Sequence, residues 1–184
     1  MKAGKSSKIN NHKNNKVNNY LKGNDVLLVS SSNYNLFTKN VLNAQILAEE
    51  LADRGVKVLF VESLGLKTLP VMGKTDIMKI FKRLFDFSVS IFKGAKKSYK
   101  NLYIISPLRL PFENISIVKK INEWLLTSTI KNASDKYLKP NPILWIFIPN
   151  ANFLIEKIPH SLSIYHNVDD YSEVPYVDKK YIQR

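Results

Sequence analysis

The densest group of polar side chains in this chain is the run Tyr165-His166-Asn167-Val168-Asp169-Asp170-Tyr171. Two adjacent carboxylates, Asp169 and Asp170, can act as a general base or orient sugar hydroxyls when they line a partly enclosed cleft. An aspartate that follows a strand also commonly caps the next helix. Both interpretations stay open for this pair, and each can hold for a different member of it.

Other kinds of chemistry are disfavoured by residue type and spacing. The 184 residues include no cysteine, which excludes disulfides, thiolate metal sites and cysteine nucleophiles. His12, His160 and His166 show no spacing typical of a metal site, and a lone His166 is more typical of a structural hydrogen bond than of a ligand. The sequence contains neither the glycine-rich dinucleotide fingerprint nor a P-loop. We therefore predict no bound metal and no bound cofactor.

The elements that must position these residues alternate between strand and helix. Short apolar, β-branched runs predict five strands, at residues 25–30, 56–61, 101–106, 142–148 and 161–165. Apolar spacing predicts helices at 38–54, 76–93 and 115–138 and a helical turn near 150–157. The spacing in the helix at 115–138 is that of Ile117, Ile121, Trp124, Leu125 and Ser128. Gly55 stands where a glycine would end the first helix. This order predicts an α/β fold with an open, Rossmann-like, doubly wound and mostly parallel sheet of at least five strands.

In such a sheet, ligands bind beyond the carboxyl ends of the strands. The side chains that follow the predicted strands are therefore the candidate site residues. In chain order they are Ser30 to Tyr34, then Glu62 and Ser63, then Ser106, Pro107 and Arg109, then Pro149 and Asn150, and finally His166, Asn167, Asp169, Asp170 and Tyr171.

The chain has a formal net charge of +13, and two segments hold all of it. Residues 1–24 contain six lysines, seven asparagines and no acidic residue, a composition that predicts a disordered basic tail. This tail is either a solubilising leader or a polybasic arm that attracts anionic membrane or nucleic acid. Residues 67–100 contain nine basic and two acidic residues. The remainder, which includes all five predicted strands, is neutral.

The predicted helix at 76–93 has a cationic face and an apolar face that covers more than half of its circumference. Four phenylalanines on a face of this width suit a helix that lies at a membrane interface. The alternative is a helix buried on two sides, or against a partner domain. The residues that we predict to face the membrane are Lys79, Phe81, Lys82, Arg83, Phe85, Phe92 and Lys93.

Five stretches of the sequence, taken in order, match a pattern found in one enzyme family. They are DVLLVSSSNYN, AQILAEELADRGVKVLFVES, NLYIISPLRLP, PILWIFIPN and SIYHNVDDYSEVP. Together they resemble the N-terminal domain of GT-B glycosyltransferases, above all the bacterial branch that builds cell-surface polysaccharides and glycolipids. The similarity extends from Asp25 to Arg184. Its most specific parts are the Pro-Ile-Leu-Trp strand that ends in Ile-Pro-Asn and the Tyr-His-Asn-Val-Asp-Asp-Tyr turn.

The resemblance implies a transferase with two Rossmann-like domains that face a cleft. The N-terminal domain takes the acceptor, often a lipid-linked sugar at the inner membrane face, and the C-terminal domain binds the nucleotide sugar, usually without a metal. Asp169 is then the first candidate for acceptor activation and Asp170 the second. In an enzyme that retains configuration, both would only position the acceptor. Together with the strand-end rule, the resemblance assigns acceptor binding to Ser32, Asn33, Tyr34, Asn150, His166 and Tyr171.

The sequence departs from that family at Arg184, where the family continues into a linker and a donor domain. The paired-glutamate nucleotide-sugar signature has no counterpart here. We therefore expect a tail at 1–24, one Rossmann-like domain at 25–184, and a donor domain in a longer chain or a separate subunit. A nucleotide sugar is the expected co-substrate, and the 184 residues alone should transfer no sugar. Because the sequence shows no signal peptide and no apolar run of membrane-spanning length, we expect a cytoplasmic protein, peripheral on the inner face of the plasma membrane.

Two other classes of function compete with this interpretation. The first is a non-enzymatic basic module that binds anionic lipid or nucleic acid. Net charge favours the binding of nucleic acid. The basic residues of 76–93, however, lie on a helix whose other side is rich in phenylalanine, and this arrangement disfavours nucleic acid. The second is a nucleotide-binding domain, such as a response-regulator relative or a sugar epimerase. The missing glycine fingerprint disfavours the epimerase, and Ser30 and Ser106 stand where a receiver domain carries acids.

Overall fold

A computed structural model of the chain describes residues 21, 23–31, 34, 43–62, 94–107, 109 and 115–167. The predicted helix at 76–93, the start of the helix predicted at 38–54 and most of the predicted tail lie outside these residues. Within the predicted tail, Leu21 is half-buried against the core, and its carbonyl accepts a hydrogen bond of 3.3 Å from the Asn24 amide.

Six strands form one sheet, and five of them are parallel. They are β1 (Val26–Val29), β2 (Val58–Val61), β3 (Lys96–Tyr99), β4 (Leu102–Ile105), β5 (Ile143–Ile146) and β6 (Leu162–Tyr165). Their order across the sheet is β3-β4-β2-β1-β5-β6, and of the six only β3 runs antiparallel to its neighbour. The five predicted strands correspond to β1, β2, β4, β5 and β6. The prediction of an α/β fold with a mostly parallel sheet is confirmed.

The central strand β1 is buried on both faces and hydrogen-bonded on both sides. Its four residues are fully buried, and it pairs in parallel with β2 on one side and with β5 on the other. Continuous Val/Leu runs are what strands covered on both faces require, because every side chain then meets apolar neighbours. Each of β2 and β5 is built in the same way, as VLFV and ILWI.

Helices cover both faces of the sheet. Helix α1 (Asn43–Asp53) packs on the face formed by side chains such as Leu28, Phe60 and Leu102. Helix α2 (Ser116–Tyr137) packs on the face that carries Leu27 and its strand neighbours, and the short helix α3 (Phe153–Lys157) packs there beside α2. Adjacent strand residues alternate between these two apolar layers, as the period of two of a strand dictates.

The end of α1 confirms the role predicted for Gly55. This glycine has φ +85°, and its amide donates to the carbonyl of Ala52 at 3.1 Å. The Val56 amide donates to the carbonyl of Leu51 at 3.0 Å, which completes a Schellman motif. Val56 and Leu51 are both buried in the same apolar layer, so the turn that ends the helix also directs the chain into β2.

Strand β3 was not among the predicted strands. It forms a hairpin with β4 through Lys100, which adopts φ +33°, and Asn101. The Tyr99 hydroxyl and the Lys100 ammonium both donate to the Asp53 carboxylate, at 3.0 and 2.6 Å, which fastens this hairpin to the end of α1. These hydrogen bonds lower the pKa of Asp53, Lys100 contributing more than Tyr99. The lysine-rich sequence of β3 looks like a continuation of the basic segment at residues 67–100. Exposed lysines are nevertheless typical of strands at sheet edges.

Helix α2 lies where it was predicted, but it does not bury the residues whose spacing predicted it. Ile117, Ile121 and Trp124 point away from the sheet and are exposed. The side chains that α2 buries against the sheet include Asn122, Leu126, Ile130, Ala133 and Ser134. Among the described residues, no helix combines the length and apolar character needed to cross a bilayer.

Asp25 fastens the amino-terminal edge of the sheet. Its side chain is 5% exposed, and its Oδ2 accepts a hydrogen bond of 2.7 Å from the Lys139 amide. Its carbonyl accepts from the Ile143 amide at 2.9 Å. One residue therefore holds the start of β1 against the connection that leads from α2 into β5.

We predict that Asp25→Ala lowers the free energy of unfolding by about 1–3 kcal/mol, because the part-buried hydrogen bond from the Lys139 amide to this buried carboxylate is lost. Asp25→Asn should cost less, since the amide oxygen can still accept. Urea denaturation followed by circular dichroism measures both. The matched control is Asp135→Ala, which removes an exposed carboxylate paired with Lys131 and should change stability by less than about 0.5 kcal/mol. Equal losses for Asp25→Ala and Asp135→Ala would contradict this role for Asp25.

Candidate functional site

The carboxyl ends of the five parallel strands lie along one edge of the sheet, and the backbone ladder continues one residue beyond most of them. The Ser30 amide donates to Val61, the Glu62 amide to Ile105, the Phe147 amide to Val29 and the His166 amide to Ile146, all at 2.8–3.0 Å. These bonds hold the first residue after β1, β2, β5 and β6 in line. The strand-end candidates within the described residues therefore share this edge, as predicted from strand order.

Glu62 connects three of the strand ends. Its Oε2 accepts a hydrogen bond of 2.7 Å from the Tyr34 amide, in the segment after β1. Its Oε1 accepts from the Ser106 hydroxyl, which follows β4. A carboxylate offers about four lone-pair positions. Two protein donors therefore leave Glu62 with acceptor capacity at the edge of the sheet.

Tyr34 is fixed by α1. Its ring packs edge-on against Phe60 with centroids 5.6 Å apart, and its hydroxyl donates to Oε1 of Glu49 at 2.8 Å. The Gln45 side-chain amide donates to the same Glu49 oxygen at 3.1 Å. Burial, followed by the hydrogen bond to Glu49, raises the pKa of Tyr34 to about 12. Tyr34 is thus a neutral donor whose hydroxyl already has an acceptor, and it is unsuited to act as a base near neutral pH.

Asn150 lies at the point where the strand order changes direction. From β1 the chain proceeds through β2 to β4 on one side, and then to β5 and β6 on the other side of β1. The buried Ser30 follows β1 at this point, and the 3-10 turn Pro149–Ala151 follows β5. The Asn150 side-chain oxygen is buried, and among the described residues it has no hydrogen-bond partner. Such an oxygen is costly to leave unpaired, which makes it a good acceptor for a ligand donor.

His166 follows β6 and stacks on apolar side chains. Its ring centroid lies 4.6 Å from that of Phe147 and 6.2 Å from that of Trp145. The indole nitrogen of Trp145 is buried, and among the described residues it has no hydrogen-bond partner. The two ring contacts give His166 a packing role at the carboxyl edge.

Several predicted site residues lie outside the described part of the chain. Among the acceptor-binding and catalytic candidates they are Ser32, Asn33, Asp169, Asp170 and Tyr171. All of the predicted membrane-facing residues, Lys79, Phe81, Lys82, Arg83, Phe85, Phe92 and Lys93, lie outside it as well. Asn167 is exposed and follows His166 at the carboxyl edge, two positions before Asp169.

No protein-family model, no curated protein and no solved structure matches this chain. The described residues also contain no group of three or more His, Cys, Asp or Glu side chains that could hold a metal ion. The functional argument therefore depends on the strand order and on the side chains at the carboxyl edge.

Sequence reasoning placed Glu62 among the strand-end candidates but gave it no role. The position of Glu62 directly after β2 was the signal that sequence reasoning could use. Its two hydrogen-bond donors come from segments distant in sequence, so no local pattern reveals them. The pairing of Glu49 with Tyr34 was missed entirely. Gln45 and Glu49 are four residues apart, a spacing that puts both on one face of α1, but spacing does not show which loop that face meets.

We predict that Tyr34→Phe lowers stability at neutral pH by about 1 kcal/mol, through loss of the hydrogen bond to Glu49. The folded-state pKa of about 12 lies above the ordinary value of 10.0. The contribution of Tyr34 is therefore fully present below pH 10 and is lost as the pH rises from 10 to 12. The difference in unfolding free energy between wild type and Tyr34→Phe should shrink over that range.

Urea denaturation at a series of pH values measures this difference, and tyrosinate absorbance follows the ionisation. Glu49→Gln is the informative control. It removes the negative charge beside the phenol, so the loss of stability should move toward pH 10. A difference between wild type and Tyr34→Phe that stays constant from pH 8 to 12 would contradict the proposed hydrogen bond.

Proposed function

We propose that the chain is the acceptor-binding half of a GT-B-type glycosyltransferase, with a Rossmann-like, doubly wound sheet. In this proposal a sugar passes from a nucleotide sugar to a membrane-associated or polysaccharide acceptor. The nucleotide sugar is bound by a donor domain in a longer chain or in a separate subunit. The protein acts on the cytoplasmic face of the plasma membrane and needs no bound metal.

The observation that carries the proposal is the buried side-chain oxygen of Asn150, which follows β5 next to β1 and has no hydrogen-bond partner among the described residues. Open α/β sheets bind ligands at the point where strand order reverses, outside the carboxyl ends of the strands. A sugar hydroxyl that donates to this oxygen would satisfy it. This is the position that the resemblance assigned to acceptor binding.

Glu62 adds a second acceptor to the same edge. Its carboxylate is held by the Tyr34 amide and the Ser106 hydroxyl, so its orientation is fixed before a ligand arrives. Its remaining lone pairs suit sugar hydroxyls, which are hydrogen-bond donors. We assign Glu62 a positioning role. Tyr34 contributes its backbone amide to this arrangement, because its hydroxyl is committed to Glu49.

The chemical step assigned to the chain is activation of the acceptor hydroxyl. Asp169, or Asp170 in its place, removes the hydroxyl proton while the acceptor oxygen bonds to the anomeric carbon and the nucleoside diphosphate leaves with the bonding electrons. In an enzyme that retains configuration, the same carboxylates position the acceptor and remove no proton. Both residues follow Asn167, which is exposed at the carboxyl edge.

Binding of a soluble prenyl-diphosphate-linked monosaccharide, followed by saturation-transfer difference NMR, tests the proposal. We expect Asn150→Ala and Glu62→Gln each to weaken binding about tenfold, the effect of losing one well-placed hydrogen bond. The matched controls are Asn132→Ala and Glu156→Gln, which alter exposed residues on α2 and α3. Acceptor binding that is equally insensitive to all four substitutions would overturn the assignment of this edge.

The competing function is a basic module that binds nucleic acid. The exposed lysines of β3, Lys96 and Lys97, add positive charge at a sheet edge. A titration with duplex DNA at several salt concentrations separates the two functions, because phosphate contacts make binding steeply salt-dependent. Tight, salt-sensitive DNA binding together with no acceptor binding would replace the glycosyltransferase proposal.

A further inference from the structure

The amino-terminal half of α2 presents a stripe of large apolar side chains to solvent. Ile117 and Trp124 are each 66% exposed, and Ile121 is 37% exposed. At 3.6 residues per turn these three positions lie one above another on a single face. Ile115, just before the helix, is 44% exposed. These four residues are called the α2 stripe below.

The α2 stripe is not the core face of the helix. Asn122, Leu126 and Ile130 are buried on the opposite side against the sheet. The first half of α2 thus carries its large exposed apolar side chains on the face that points away from the sheet. In its second half the outward face is polar, with Lys131 and Asp135 forming an exposed ion pair of 2.7 Å. The apolar surface is therefore a local feature of the amino-terminal half.

The topology places the α2 stripe beside the candidate site. Strand β4 ends at the carboxyl edge, α2 begins there, and β5 starts again at the opposite edge. The amino-terminal half of α2 therefore lies nearest the carboxyl edge. The described part of the chain stops at Glu62 and resumes at Gly94, just before β3. Strand β3 starts at this edge because it is antiparallel to β4. Glu62 and Gly94 therefore both lie at or next to the edge that carries the site.

We infer that the α2 stripe is a contact surface for an anionic membrane, which it enters with Trp124 and Ile117. Tryptophan at the end of an apolar stripe is typical of the interfacial region of a bilayer, where the ring is apolar and its N–H remains hydrated. Lys120 is exposed beside this face, about 60° around the helix from Ile117, and the first turn of α2 has no acidic residue. Anionic headgroups complement this lysine and also the positive, amino-terminal end of the helix dipole.

The size of the α2 stripe disfavours a second copy of the chain as its occupant. Four side chains of this exposure present roughly 400 Å² of apolar surface, about half of the ~800 Å² that each partner buries in a stable interface. A bilayer sets no such minimum, because few apolar side chains suffice when basic residues add electrostatic attraction. Lys120 would also repel its counterpart across a two-fold interface.

This inference rests on the proposed function in one respect, since both place the carboxyl edge at a membrane. Its geometry is separate, because none of the residues assigned to acceptor binding belongs to the α2 stripe. A peripheral contact at this position would hold the carboxyl edge near the membrane surface, within reach of the sugar of a lipid-linked acceptor.

The reporter for the test is Trp124 itself. The chain has two tryptophans, and Trp145→Phe leaves Trp124 as the only one. We expect its emission in the full chain to shift to shorter wavelength with equimolar phosphatidylcholine–phosphatidylglycerol vesicles, and to be quenched when the acyl chains carry bromine. Pure phosphatidylcholine vesicles should give a weaker effect. Vesicle binding without any change in Trp124 emission would overturn the inference and assign the membrane contact to another segment.

Co-sedimentation with the same vesicles gives the second measurement. Ile117→Ser combined with Trp124→Ser should lower the partition coefficient about tenfold or more. Leu162→Ser is the matched control, since it removes an exposed apolar side chain from the edge strand β6 and should leave partitioning unchanged. All of these positions are exposed, and circular dichroism confirms that the variants fold.

Further outcomes separate the proposed function from the proposed membrane contact. If the Ile117/Trp124 double variant binds the soluble acceptor normally but loses vesicle binding, both the inference and the proposed function are supported. If acceptor binding is absent while Trp124 still reports vesicle contact, the proposed function fails and the inference stands. Sedimentation equilibrium that shows a dimer dependent on Ile117 would overturn the inference in favour of a second copy of the chain.

Discussion

The parallel pairing of β1 with both β2 and β5 organises this molecule. All four residues of β1 are fully buried, hydrogen-bonded on both sides and covered by apolar layers on both faces. Because parallel strands all run the same way, this pairing brings the residues that follow five strands to one edge. Ser30, Glu62 and Asn150, which are far apart in the chain, become neighbours along that edge for this reason. The same pairing requires each connecting helix to begin at the carboxyl edge and to return toward the other.

The carboxyl edge then combines two kinds of surface. In the proposed function, Glu62 and Asn150 supply acceptor oxygens for a ligand rich in hydroxyls: Glu62 through its remaining lone pairs, and Asn150 through a buried oxygen that has no partner among the described residues. The start of α2 supplies exposed apolar side chains and lysines at the same edge. A sugar acceptor attached to a lipid has both chemistries in one molecule. This correspondence is the physical link between the proposed function and the proposed membrane contact.

Most of the fold could be predicted because its signals are local. Runs such as VLLV and ILWI leave no polar face, so only a strand covered on both sides suits them. Gly55 ends α1 because only a left-handed residue completes the Schellman turn, and glycine adopts that conformation without strain. Strand β3 was missed because KKSY has no apolar alternation of its own. It becomes a strand through the hairpin with β4 and through the bonds of Tyr99 and Lys100 to Asp53.

The amino-acid sequence by itself determined five of the six described strands, the mostly parallel sheet and the set of polar residues that follow those five strands. These depend on periodicity and on the conformational preferences of single residues, which short stretches of chain contain. Only the tertiary structure decided that the Ile117–Trp124 side of α2 faces solvent, that Tyr34 is bound to Glu49, and that Glu62 receives donors from two other strand ends. Each of these depends on which distant element covers a given face, and the spacing of residues within one segment carries no record of that neighbour.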